Sequence, residues 1–201
     1  MNPGWKCLAD ARRDERGPRW PVSIDGRRAG SVNAGGREAL AAWPQWLQEG
    51  EDGALVLVVP RAGRDEALAE INASLRAQGL IRAWREEPFA WWDDQGSLAA
   101  VIERASSRFW GALTLGAHAN GYVADPASGR PTHLWIARRA FDKPTDPGRL
   151  DNLIGAGVPH GQTPLEALRR KASSTGIRRC SCTSPSWFCG TRPAGNSRSK
   201  T

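Results

Sequence analysis

GAHANGYVADPASGRPTHLWIARRAFDKPTDPGRLDNLIGAGVPHGQTPLEALRR, residues 116–170, is the stretch on which the fold turns. Ala117 to Val123 and His133 to Ala140 read as two strands joined by a turn at Asp125 to Pro131, where Asp, Pro, Ser and Gly cluster. Asp151 to Val158 reads as a strand running into a glycine loop. Thr163 to about Ala172 reads as a helix. Thr163 stands at the cap, Pro164 suits the first turn, and Glu166 takes the capping-box position three residues on. Leu165 and Leu168 are expected to face the core. The chain then continues Lys171, Ala172, Ser173, Ser174, Thr175, and no Asp or Glu occurs after Glu166.

Upstream, the sequence predicts a small α/β unit. Pro21 to Val32 alternates around Asp25-Gly26, a hairpin or turn signal. Glu38 to Leu47 carries Leu40, Trp43 and Leu47 at helical spacing, limited by Pro44. Ala54 to Val59 is a short apolar run that suits a buried strand. Asp65 to Leu75 sets Leu68, Ile71 and Leu75 on one helical face, with Asp65 and Glu66 expected in the first turn. Leu80 to Trp92 is strand-like and aromatic. Leu98, Val101, Ile102, Ala105 and Phe109 recur at the spacing of an amphipathic helix. Trp43, Trp46, Trp84, Trp91, Trp92 and Trp110 lie in apolar patterns, so core packing is their expected role.

Charge is divided unevenly. Residues 1–166 hold 20 Lys+Arg and 21 Asp+Glu, whereas residues 167–201 hold 8 Lys+Arg and no acid. The formal charge of +7 therefore belongs to the tail. Such a tail can attach to phosphate backbones without reading sequence. A disordered tail without a partner accounts for the same composition, so nucleic acid is an unlikely partner. Cys180, Cys182 and Cys189 fall in the tail, but their spacing, with no His after His160, matches a zinc site poorly. No apolar run approaches a membrane span, and the first twenty residues lack the apolar stretch of a signal peptide. A cytoplasmic protein is the expectation. There is no G-x-S-x-G, P-loop or H-E-x-x-H, and the three His stand at 118, 133 and 160.

The runs GAHANGYV and LWIARRAFDKPTDPGRLDNLIGAGVPHG resemble the Nudix hydrolases, in particular a thiamine-pyrophosphokinase-like subgroup with an N-terminal domain of uncharacterised function. The N-terminal half fits through Gly30 to Val32, Leu40 to Pro44 and Ser107 to Gly111, and the resemblance covers roughly residues 18 to 172. It implies an α/β chain: an accessory α/β domain over 1–110, then a Nudix α/β/α sandwich with a mixed sheet over 111–177, incomplete here, and a disordered basic tail over 178–201. It also implies hydrolysis of a diphosphate linkage in a nucleoside-diphosphate-like or thiamine-diphosphate-like small molecule, with Mg2+ or Mn2+ as cofactor. His118, Asn120, Trp135, Arg138, Lys143 and Asp151 become substrate-side candidates. Arg138 and Lys143 suit phosphate contact. Trp135 reads as core rather than as a stacking platform, and Asp151 also reads as the cap of a turn after Pro147-Gly148.

The Nudix signature, G-x5-E-x7-R-E-U-x-E-E-x-G-U, groups carboxylates on one helical face, where hard oxygen ligands hold the metal against phosphate. Gly155, Gly157, Gly161 and Gln162 fall in its loop, with Gln162 at the first Glu position. Arg170 matches the Arg. Lys171 replaces the next Glu, Ser174 and Thr175 replace the acidic pair, and Gly176-Ile177 resembles the closing pair one residue early. No metal ligand set results, and a cation stands where the metal would sit. Composition, charge, cysteine use and periodicity all change near Arg170, as a single frameshift would make them. The readings are thus a hydrolase impaired in catalysis, a non-catalytic diphosphate-binding protein, or a nucleic-acid binder acting through its tail. A domain lacking its later strands is expected to leave apolar surface bare, and residues 150–201 to resist proteolysis less than the N-terminal half.

Overall fold

The computed structural model describes residues 17–142 and 146–174. Lys143, Gly176-Ile177 and the expected tail over 178–201 lie outside the described residues. The chain has an α/β fold and divides into two compact units, passing from the first to the second between Thr114 and Leu115.

In the first unit β1 (Arg19–Ile24) and β2 (Arg27–Asn33) form the expected antiparallel hairpin. Asp25 and Gly26 both take positive φ, 52° and 74°, the twist that suits a two-residue hairpin turn. Asn33 then caps α1 (Ala34–Leu40), its Oδ1 accepting from the Gly36 amide at 2.8 Å. The helix expected over Glu38 to Leu47 therefore begins earlier and ends at Leu40, because Pro44 cannot continue its hydrogen bonds. Trp43 and Leu47 are still buried, from a turn and from β3 (Leu47–Glu49). β4 (Leu55–Leu57) pairs parallel with β1 and antiparallel with β3, giving a mixed sheet in the order β2-β1-β4-β3.

α2 (Arg61–Ala77) buries Leu68, Ile71 and Leu75 completely, each worth roughly 1.5–3 kcal/mol. It starts a turn earlier than expected, so Asp65 sits past the first turn. There its carboxylate accepts from the Val101 amide at 3.0 Å. Arg64 is also buried, and its guanidinium donates to the carbonyls of Val59 and Ala99 and to Asp25.

Two expectations fail next. Only Pro88–Trp92 of the aromatic segment is a strand, β5. Before it, Ala83 and Glu86 adopt left-handed backbone, and the Glu103 carboxylate takes the amides of Arg85 and Glu87 that a ladder would have used. Leu98–Glu103 is strand β6, not a helix, paired antiparallel with β5. The Asp93 carboxylate accepts from the amides of Gln95 and Ser97, closing a tight turn that forces residue 98 onward back along β5. The helical reading survives only in α3 (Ser107–Trp110). Trp91 and Trp110 fill the core with ring centroids 5.4 Å apart, and each indole N–H is satisfied, by Ala29 O and Asn72 Oδ1.

The second unit is thinner. β7 (Gly116–Ala119) pairs antiparallel with β12 (Ile154–Gly157). Between them lie two further antiparallel pairs, β8 (Gly121–Ala124) with β9 (Pro131–Trp135) and β10 (Ala137–Arg138) with β11 (Leu150–Asp151). Asp125 closes the β8–β9 turn by accepting from the amides of Ala127 and Ser128. α4 (Pro164–Ser174) packs on β7 and β12, burying Ala167, Leu168 and Ala172 against Ala117, Ile154 and Val158, with Leu165 half-buried. Tyr122, Leu134, Trp135, Ile136, Phe141 and Leu150 remain exposed. Among the described residues no helix is long and apolar enough to cross a membrane.

Candidate functional site

Strand alternation separates the two faces of the β7–β12 ladder. Ala117 and Ala119 face the α4 core, so His118 between them points to the opposite, open face. Its cross-strand partner is Gly155, and a Cβ at Gly155 would meet the imidazole at 3.3 Å. The ring lies against the backbone because no side chain competes for the space. Gly116 pairs with Gly157 on the same face, which leaves His118 standing on a floor of bare backbone.

His118 Nδ1 lies 2.7 Å from the side-chain Nδ2 of Asn152. Asp151, the preceding residue, takes Arg139 Nη1 at 2.6 Å and accepts from the Asn152 amide. Burial alone would raise the Asp151 carboxyl. The Arg139 hydrogen bond, the Asn152 N–H and the charge of Arg139, with a smaller pull from His118, outweigh it and hold the carboxyl below its usual range. The cluster thus joins an imidazole, an amide and a guanidinium around an ionised Asp. Such donors can take phosphate oxygens.

Each sequence-derived residue has a definite place. His118 and Asp151 come together through Asn152. Arg138 pairs with Leu150 across β10–β11, whereas Asp151 sits opposite Ala137, so the arginine on the Asp151 face is Arg139. The strand period of two was the available signal, and Asn152 had none beyond its position next to Asp151. Asn120 is exposed where β7 passes into β8. Trp135 is not core: it is 61% exposed, opposite Gly121 and beside Leu153. Gly155 and Gly157 are strand, not loop, because they pair with His118 and Gly116. Gly161, with φ +80°, and Gln162 do form the turn into α4, the Gln162 amide donating to Pro159 O. Arg170 is exposed on α4, beyond the face His118 occupies.

The helix offers no metal ligand set. Glu166 is the acid of α4, and its Oε2 lies 2.7 Å from both the Thr163 amide nitrogen and the Thr163 hydroxyl, the expected capping box. Among the described residues no group of three His, Cys, Asp or Glu could hold a metal ion. The residues present do not fit Mg2+ or Mn2+.

No protein-family profile matches the chain. Over 97 residues it is 40% identical to the uncharacterized protein YJR142W of Saccharomyces cerevisiae, which covers 46% of this chain and 28% of that protein. It is 34% identical over 106 residues to Nudix hydrolase 24, chloroplastic, of Arabidopsis thaliana, covering 52% of this chain and 28% of the relative. It is also 34% identical over 99 residues to Nudix hydrolase 20, chloroplastic, of the same plant, covering 49% and 26%. The chain spans about a quarter of the length of these curated relatives. The two plant matches support a Nudix relationship for about half of the chain.

Proposed function

We propose that the chain is a Nudix-type hydrolase by descent that holds a nucleoside-diphosphate-like or thiamine-diphosphate-like small molecule and hydrolyses it poorly. The diphosphate is held through Arg139, Asn152 and His118. The observation that carries the impairment is the state of α4: Glu166 is turned back on Thr163, and Lys171 follows Arg170 where a carboxylate would be needed. A cation there can attract phosphate, but it cannot bind metal or activate water. The thiamine-type or nucleoside-type substrate rests on the sequence resemblance. The division into an accessory part, 1–110, and a diphosphate-binding part, 111–177, belongs to the same proposal and is supported by the unit boundary near Thr114.

Calorimetry with ADP and thiamine diphosphate, with and without Mg2+, tests it beside a phosphate-release assay. Binding that is indifferent to Mg2+, with turnover at background, is expected. Metal-dependent turnover at the roughly 1–1000 s−1 of ordinary enzymes would overturn it.

A further inference from the structure

The two ring nitrogens of His118 have unlike surroundings. Nδ1 and Cε1 lie over Gly155, 3.3 and 3.5 Å from where a Cβ would stand, and Nε2 lies 3.5 Å from the same point on Gly116. The ring therefore lies along the β7–β12 ladder, its place set by two residues that have no side chain. Nδ1 meets Asn152 Nδ2 at 2.7 Å, and among the described residues Nε2 has no hydrogen-bond partner. An amide nitrogen donates and does not accept, so this bond forms only when Nδ1 is the acceptor. The proton of the neutral ring then stands on Nε2.

The neighbouring carboxylate is occupied elsewhere. Asp151 Oδ2 accepts from Arg139 Nη1 at 2.6 Å, and Oδ1 accepts from the backbone N–H of Asn152 at 2.8 Å. The second bond also ties down the backbone that carries the Asn152 side chain. A carboxylate in place of the amide would take Nδ1–H and leave Nε2 with a bare lone pair, the arrangement in which a His withdraws protons. With the amide in that place, Nε2 keeps its hydrogen. It can donate to an anion, but it cannot take a proton from water.

We infer that Asn152 is a positioning residue: it fixes His118 as the Nε2–H tautomer, an uncharged donor presented over the glycine floor to a phosphate oxygen. Asn152 then acts on the ligand through His118, while Arg139 supplies the positive charge. Phosphate as the ligand rests on the proposed function, whereas the tautomer does not. The arrangement adds a reason for weak hydrolysis that is separate from the acids missing in α4. The imidazole is set to hold phosphate and not to activate water.

Nitrogen-15 NMR of the histidine rings in the full chain, at about pH 8 where ordinary imidazole is neutral, reads the tautomer directly. The chain has three His, and His118→Ala identifies the His118 signals by their loss. Nε2–H alone is expected for His118, against a mixture for the exposed His160. Asn152→Asp, whose carboxylate can only accept, should move the proton to Nδ1, and Asn152→Ala should give a mixture. Either variant suffices where the other does not fold. Nδ1–H in the parent, or a tautomer that neither substitution moves, overturns the inference. Calorimetry with inorganic diphosphate, without Mg2+, reads the link to the ligand. Asn152→Ala should weaken binding by about twofold to tenfold, the scale of one neutral hydrogen bond, and should add nothing to the loss caused by His118→Ala. Equal losses with and without His118 would put Asn152 on the ligand itself and overturn its positioning role. A parent chain that shows the expected tautomer but binds no diphosphate would remove the diphosphate reading and leave the tautomer standing.

Discussion

Glu166 folds back onto Thr163, its Oε2 2.7 Å from the threonine's amide nitrogen and 2.7 Å from its hydroxyl. The Thr163 amide, the Thr163 hydroxyl and the charge of Arg169 hold the Glu166 carboxyl below its ordinary 4.5, against a small upward push from desolvation. A lowered folded value means that the cap helps the folded state above the unfolded pKa and is lost as pH falls through the lower folded one. The NMR midpoint of Glu166 should therefore lie below 4.5 and stay put when Mg2+ is added. A midpoint at or above 4.5, or one that Mg2+ lowers, would mean that the carboxylate is available to metal.

Arg139 and not Arg138 is the arginine on the Asp151 face. If it also takes ligand phosphate, Arg139→Ala should weaken ADP or thiamine diphosphate binding by about tenfold to a hundredfold, as loss of a charged hydrogen bond of ~1.5–3 kcal/mol would. Arg138→Ala should change it far less. Equal losses in calorimetry would remove Arg139 from its assigned role. Because the Asp151 carboxyl is held below its usual 3.8, its pairing with Arg139 is intact above that value and is lost only as pH falls through the lower folded one.

Gly30 marks how tightly the first unit is built. A Cβ there would collide with the Trp110 carbonyl and come within 3.3 Å of the Trp91 ring. Neither tryptophan can withdraw, since both are buried and hydrogen-bonded. Gly30→Ala should cost about 1–3 kcal/mol or more in thermal unfolding. Gly35, in α1 with nothing near its Cβ position, is the counterpart: Gly35→Ala should stabilise by ~0.4–1 kcal/mol. A Gly30→Ala melting curve like the parent's would refute the packing argument.

Local signals were read well where one chemistry acted alone. Asp25-Gly26 is the hairpin turn its sequence suggests, Leu68, Ile71 and Leu75 form one helix face, and Thr163 with Glu166 forms a cap. Segment 98–109 misled because Leu98, Val101 and Ile102 satisfy helical spacing while a distant carboxylate, Asp65, and the Asp93 turn select a strand. Such partners lie far off in sequence and leave no periodic trace. The cluster around Asp151 was half legible for the same reason. His118 and Asp151 stood out by type, but the choice of Arg139 over Arg138 depends on strand register, and the glycines around His118 act as strand floor only once β7 and β12 are paired.

The small core of the second unit sets its resistance to proteases. Alanines supply half of the buried residues in the core that α4 forms with β7 and β12, whereas the first unit buries whole tryptophans, leucines and isoleucines. Less apolar area leaves less free energy against local opening. Limited trypsin digestion should cut first beyond Leu115, with the exposed Arg138 and Arg149 as early sites. Equal protection of both units, read by mass spectrometry, would contradict this.

Lys171 and Ser174 are three residues apart on α4, and both are exposed while Ala167, Leu168 and Ala172 face inward. Carboxylates at these two positions would share one face of the helix without disturbing its packing. Lys171→Glu combined with Ser174→Glu should therefore create Mn2+ binding, with a dissociation constant on the order of a millimolar for so few oxygen ligands. The parent chain should bind none in the same spin-resonance titration of free Mn2+. If the parent binds equally well, a metal site exists that α4 does not supply, and the proposed impairment falls. If the double variant stays helical and still binds nothing, the missing acids are not the reason why this helix lacks metal.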